Sequence, residues 1–204
     1  MTRALIVIDV QESFRKAPSW ATISSPGIAG QVSQLVQAAR ARGDVVVWVL
    51  HTEPGTGTAF DPASGFVRLM DGLDPADGEP VITKTSHNAF TTTSLQQLLT
   101  TRGVTDLAVC GIRTEQCCET TARVASDLGY HVTFITDATA TSPIEHRSAP
   151  AGRSAEEILA DPLTLPAADV IARTEYALAG RFATIGSVAE ETGAASGQPA
   201  GAKG

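Results

Sequence analysis

The sequence predicts an α/β fold in which a mostly parallel sheet carries helices on both faces. Three observations predict it. Short apolar runs are rich in β-branched residues, the segments between them show helical apolar spacing, and the two kinds alternate with mostly short connections.

The first run, ALIVIDV at 4–10, has the length and branching of a strand buried on both faces, as parallel sheets require. Residues 27–43 put Val32, Leu35, Val36 and Ala39 on one helical stripe and close on Gly43, a C-cap residue. DVVVWVL at 44–50 is a second buried strand. Residues 51–79 are rich in Gly, Pro, Asp and Thr and read as a long surface loop, a candidate substrate lid. PVIT at 80–83 is a short third strand leading to Lys84, followed by a helix with Leu95, Leu98 and Leu99 that ends near Gly103. VTDLAVC at 104–110 is a fourth strand, 114–129 a helix, and YHVTFIT at 130–136 a fifth strand. Further on, SAEEILA and PAADVIARTEYALAG read as helices, the second with Val170, Tyr176 and Ala177 turned inward, and FATIG at 182–186 as a last short strand. From Ser187 the chain has little to bury. The reading is one domain at 1–186 and a disordered Gly/Ala-rich tail at 187–204.

Composition excludes several functions. Net charge is −7, from 22 acidic and 15 basic residues, which gives no electrostatic reason to bind nucleic acid or an anionic membrane. No apolar run reaches membrane-spanning length, and the start lacks a signal-peptide pattern, so a cytoplasmic protein is expected. The three cysteines, Cys110, Cys117 and Cys118, are too close together for a disulfide scaffold and lack the spacing of a zinc site. They serve packing or chemistry.

Position separates those roles. Ligands of parallel α/β sheets bind outside the carboxyl ends of the strands. Asp9 closes the first strand, Lys84 follows the third, and Cys117 opens the helix after the fourth. In the first helical turn the dipole and free N–H groups favour a thiolate and lower the pKa of Cys117. Cys110 and Cys118 fall at packing positions. Asp9 alone would equally serve as a loop cap and Lys84 alone as a solvated lysine, but together with a thiol they make a proton acceptor and its electrostatic support.

LIVIDVQESF, ITKTSHNAF and VCGIRTEQCCETTARVASDLGY resemble, in order and spacing, the signature blocks of the isochorismatase-like cysteine hydrolases over roughly residues 3–185. The resemblance implies a six-stranded sheet in a Rossmann-like three-layer sandwich and an Asp-Lys-Cys triad at Asp9, Lys84 and Cys117. It also implies a non-proline cis peptide between Ile112 and Arg113, with the N–H groups of Arg113 and Cys117 forming an oxyanion hole. The implied reaction is cleavage of a C–N bond in a small amide, ureido or lactam substrate through a thioester, with no cofactor.

Nicotinamidase relatives bind a metal through Asp-x-His after the second strand. This chain has His51 and Glu53 there, and no bound metal is expected. Phe14, Trp20, His51, His87 and Arg113 are candidate substrate contacts, Arg113 as a bidentate partner for a substrate carboxylate. The rival readings are a vinyl-ether hydrolase using Asp9 as acid without Cys117, and a catalytically silent binding protein of the same fold. A homodimer or homotetramer is expected, in which residues 51–79 or 143–166 help close a partner's pocket.

Overall fold

A computed structural model describes residues 2–193. Its strands are β1 (Thr2–Ile8), β2 (Val45–His51), β3 (Val81–Lys84), β4 (Val104–Ile112), β5 (His131–Ala140) and β6 (Thr184–Gly186). They form one parallel sheet of 6 strands in the order β3-β2-β1-β4-β5-β6. The helices are α1 (Glu12–Lys16), α2 (Ile28–Arg42), α3 (Leu95–Thr101), α4 (Glu119–Asp127), α5 (Ala155–Ala160), α6 (Ala167–Leu178) and α7 (Val188–Thr192).

The unbroken apolar run of β1 is explained by its central place in the sheet. Ala4, Ile6 and Ile8 join one core layer, with α3, α4 and the end of α6, while Leu5 and Val7 join the other, with α2 and α7. Each layer draws on alternate residues of the same strands, so a polar residue on either face would be buried without a partner. Trp48 keeps its ring fully buried because its indole N–H donates to Glu79 at 2.8 Å.

Three details depart from the sequence reading. Tyr176 does not face inward: it is 87% exposed, and the buried side chains of α6 are Val170, Thr174 and Leu178. Val170 is buried as expected, and Thr174 takes the next inward position, where it donates to the buried carboxylate of Glu119. The domain does not stop at residue 186. Ser187 and Glu190 form a capping box that starts α7, Val188 is buried, and Arg3 makes a two-bond pair to Glu191 at 2.7 Å. The expected tail at 194–204 lies outside the described residues. Finally, the segment after His51 is not a surface loop throughout. It pairs with the stretch after β1, through Glu12 N–H to Arg68 O at 2.9 Å and Met70 N–H to Val10 O at 3.0 Å, and buries Met70 and Leu73. No helix among the described residues is long and apolar enough to cross a membrane.

The central strand pair sets the tightest steric constraint. Gly111 of β4 has φ of +132°, and a Cβ there would stand 1.9 Å from the Ile8 carbonyl oxygen. Gly111→Ala is expected to destabilise the fold by about 4 kcal/mol or more, at the top of the range for single substitutions. Gly103→Ala, also at positive φ but in open space, should lose only about 1–2 kcal/mol. Urea unfolding of both variants checks this, and equal losses would contradict it.

Candidate active site

Strand register brings the expected residues together at the carboxyl edge. Ile8 pairs with Val49 on one side and Gly111 on the other, and His51 pairs with Lys84. Asp9 follows directly in a left-handed conformation, φ 54°, with its N–H bonded to Val49 O at 2.8 Å. That turn points the carboxylate into the protein instead of continuing the strand. Lys84, two strands away, is separated from β1 by roughly 10 Å of sheet, a gap its long stem spans. Cys117 sits in a π-type turn, Thr114–Cys118, just after the cis peptide between Ile112 and Arg113. Thr121 ties this turn to the Lys84 loop, donating to Cys117 O at 2.6 Å and accepting from Ala89 N–H at 3.1 Å.

Lys84 is the hub. Its ammonium lies 2.8 Å from Asp9 Oδ2 and donates to Cys117 Sγ at 3.3 Å and Ser86 O at 3.0 Å, while His51 Nδ1 is 3.4 Å away. Asp9 and Lys84 are both 0% exposed and Cys117 is 6% exposed. The Asp9 carboxylate interacts with both the Lys84 ammonium and the Cys117 thiol, so it stands where it can accept the thiol proton.

Burial is the largest single influence on all three groups. It raises the Asp9 pKa despite the opposing charge of Lys84. On Lys84, burial favours the neutral amine, but Asp9 and Cys117 together outweigh it and raise its pKa. The Cys117 thiol is pushed up to about 12 by burial and the neighbouring Asp9 carboxylate. This is opposite to the lowering expected at a helix start: Cys117 lies in a buried turn ahead of α4, where desolvation disfavours a thiolate. At neutral pH these shifts hold Cys117 as the thiol and Lys84 as the ammonium. Cys110 and Cys118 are fully buried, and burial raises both thiols.

The other expected contacts divide. Phe14 is buried, with Phe60 edge-on at 4.9 Å and the Arg113 guanidinium 5.8 Å from its ring. His51 joins the hub, and its backbone is clamped on both sides by the fully buried Gln11 amide, at 2.7 and 3.0 Å. Trp20 is half-buried in the short turn Pro18–Thr22 with Arg15 over its ring, and His87 is exposed with no hydrogen bond or ion pair among the described residues. Sequence reasoning missed Gln11, Ser19 and Phe60. Phe60 carried a signal, as a lone aromatic in a polar loop; Ser19 carried none.

His51 and Glu53 do not fit a metal. Their side chains lie 3.4 Å apart, no third ligand joins them among the described residues, and the inner nitrogen of His51 faces the Lys84 ammonium, which repels a cation. Burial and Lys84 lower the His51 pKa, keeping the ring neutral. Concavity size does not mark this site. A cavity of about 700 Å³, lined by Arg3, Tyr130, His131 and Phe182 among others, opens at the opposite, amino end of the strands.

Known proteins share this arrangement of chain. The isochorismatase domain model matches residues 3–165. The chain belongs to the isochorismatase family. It is 34% identical over 200 residues to streptothricin hydrolase of Streptomyces noursei, covering 97% of this chain and 73% of that protein. An isochorismatase from Pseudomonas putida superposes with a TM-score of 0.78 at 31% identity, covering 92% of this chain and 89% of the other. A cysteine hydrolase from Pseudomonas syringae gives 0.78 at 25% identity, covering 95% and 93%. The fold is thus that of a hydrolase family with cysteine hydrolases among its members.

Replacing Lys84 with Met leaves the Asp9 charge buried without compensation. The expected cost at neutral pH is about 3–5 kcal/mol. Its pH dependence follows from the sign of the Asp9 shift. A carboxyl group with a raised folded-state pKa favours the fold in acid and loses that contribution as pH rises, and removing Lys84 raises this pKa further. The deficit of Lys84→Met relative to wild type should therefore shrink as pH falls from about 8 toward about 5. Denaturant titrations across that interval check it. A deficit independent of pH would contradict the ion pair.

Proposed function

We propose that this chain is a cysteine amidohydrolase that cleaves a C–N bond of a small amide, ureido or lactam substrate through a thioester on Cys117. The observation that carries the reading is the single buried ammonium of Lys84, set 2.8 Å from Asp9 and 3.3 Å from Cys117 Sγ. A lone buried thiol with a pKa pushed up to about 12 is a poor nucleophile. Beside the Asp9 carboxylate it has a proton acceptor.

The steps then follow. Asp9 takes the Cys117 proton as sulfur attacks the carbonyl carbon, and Lys84 stabilises the charge that remains in the cluster. The N–H groups of Arg113 and Cys117 hold the oxyanion. Asp9 returns the proton to the departing nitrogen, leaving a thioester. Water, deprotonated by Asp9, attacks the thioester and releases the acid, and the proton returns to sulfur. Streptothricin hydrolase and the Pseudomonas cysteine hydrolase support hydrolysis as the reaction class. The presence of Cys117 inside the cluster favours acyl transfer over vinyl-ether hydrolysis, which needs an acid and no thiol.

Cys117→Ala should lose about 10³-fold or more in amide hydrolysis with the fold intact, while Cys118→Ala, a packing change, keeps activity within a few-fold. Ammonia release from a panel of small amides and acid-quenched mass spectrometry read the two expectations together. An acyl adduct on the peptide holding Cys117 is the positive result. Equal loss in both folded variants would remove Cys117 from its role.

A further inference from the structure

Five arginines among the described residues are partly buried: Arg3, Arg15, Arg113, Arg123 and Arg153. Four meet a carboxylate: Arg3 meets Glu191 at 2.7 Å, Arg15 meets Glu12 at 3.1 Å, Arg123 meets Glu119 at 2.8 Å and Arg153 meets Asp161 at 2.9 Å. Among the described residues Arg113 makes no ion pair. Its one side-chain hydrogen bond runs from Nη2 to Ser19 Oγ at 2.6 Å, and its guanidinium lies 5.8 Å from the Phe14 ring. Glu115, the acid whose charge acts on it, instead accepts from the Gln116 amide at 3.1 Å. Withdrawing a guanidinium from water without a counter-charge is costly, and structures seldom retain it without use.

The surroundings connect Arg113 to the reacting group. Phe14 meets Phe60 edge-on at 4.9 Å, Phe60 meets the His51 ring at 5.8 Å, and His51 Nδ1 is 3.4 Å from Lys84 Nζ. An aromatic wall runs from the unpaired cation to the triad. The backbone of Arg113 lies four residues before Cys117, with the turn that carries the thiol between them. A small molecule bound along these rings would meet a positive charge at one end and the Lys84–Cys117 cluster at the other.

Resting on the reading of Cys117 as the nucleophile, we propose that Arg113 binds an anionic group on the substrate, a carboxylate or a group of like shape, so that the enzyme prefers small amides bearing an acid function over neutral analogues. The planar fork of Arg113 supplies donors beyond the one spent on Ser19, enough for a bidentate grip. Ser19 fixes the fork from one side and Phe14 from its face.

Iodoacetate and iodoacetamide test this without knowledge of the substrate. Each alkylates the sulfur as an S–C bond forms and the C–I bond breaks, releasing iodide, and the two differ only in carboxylate against carboxamide. Rates at Cys117 are read by peptide mass spectrometry and divided by the rates with glutathione. The normalised preference for iodoacetate is expected to fall by about tenfold or more in Arg113→Gln and to survive in part in Arg113→Lys, which keeps the charge without the fork. Lys84 is common to all three proteins, so its field cancels. A preference unchanged in Arg113→Gln overturns the anion site and leaves the nucleophile standing. No alkylation of Cys117 by either reagent overturns the nucleophile, and the inference with it.

Discussion

The ion pair between Asp9 and Lys84, 2.8 Å long and wholly removed from water, is the constraint on which the rest of the site depends. Burying either charge alone is prohibitive, so the fold must deliver both to one point. It does so with backbone already committed to the core. Asp9 is the residue after β1, turned inward by a left-handed φ of 54°, and Lys84 is the last residue of β3, two strands away. The apolar alternation that seals both faces of the sheet also excludes water from this edge. Gly111 lets β4 pass close enough to β1 for the Cys117 turn to reach the same point.

On the proposed reading, burial also controls reactivity. A thiol pushed up to about 12 stays protonated at neutral pH. It becomes a nucleophile through transfer of its proton to Asp9, whose own pKa is raised by burial and so suits an acceptor that must later give the proton back. Lys84 makes this exchange affordable, because its charge attends the anion whether it rests on oxygen or on sulfur. His51, neutral and held by Gln11, closes the far side of the ammonium without competing for its charge.

Much of this was legible in the sequence, because the signals were local. Apolar runs gave the strands of the sheet, and the residues at their carboxyl ends, Asp9, Lys84 and Cys117, were placed by the general rule for parallel sheets and by the family resemblance. What could not be read depends on contacts distant in sequence. The raised pKa of Cys117 follows from its burial beside Asp9, and a helix-start pattern gives no measure of that burial. Tyr176 looked like a core residue by type, yet the inward position of α6 went to Thr174 for the sake of Glu119. The helix after Ser187 was hidden by small residues, although its capping box was present in the text as Ser187 and Glu190. Phe60 gained its meaning only beside Phe14 and His51, nine residues and more away along the chain.

The central claim is the resting state of the nucleophile: a protonated Cys117 beside Asp9 and a charged Lys84. Thiolate absorbance in the ultraviolet, taken as wild type minus Cys117→Ala through a rising pH series, measures it most directly. The account predicts no thiolate band from Cys117 at neutral pH, and a band that emerges only in strong alkali. A thiolate already present at neutral pH would contradict it.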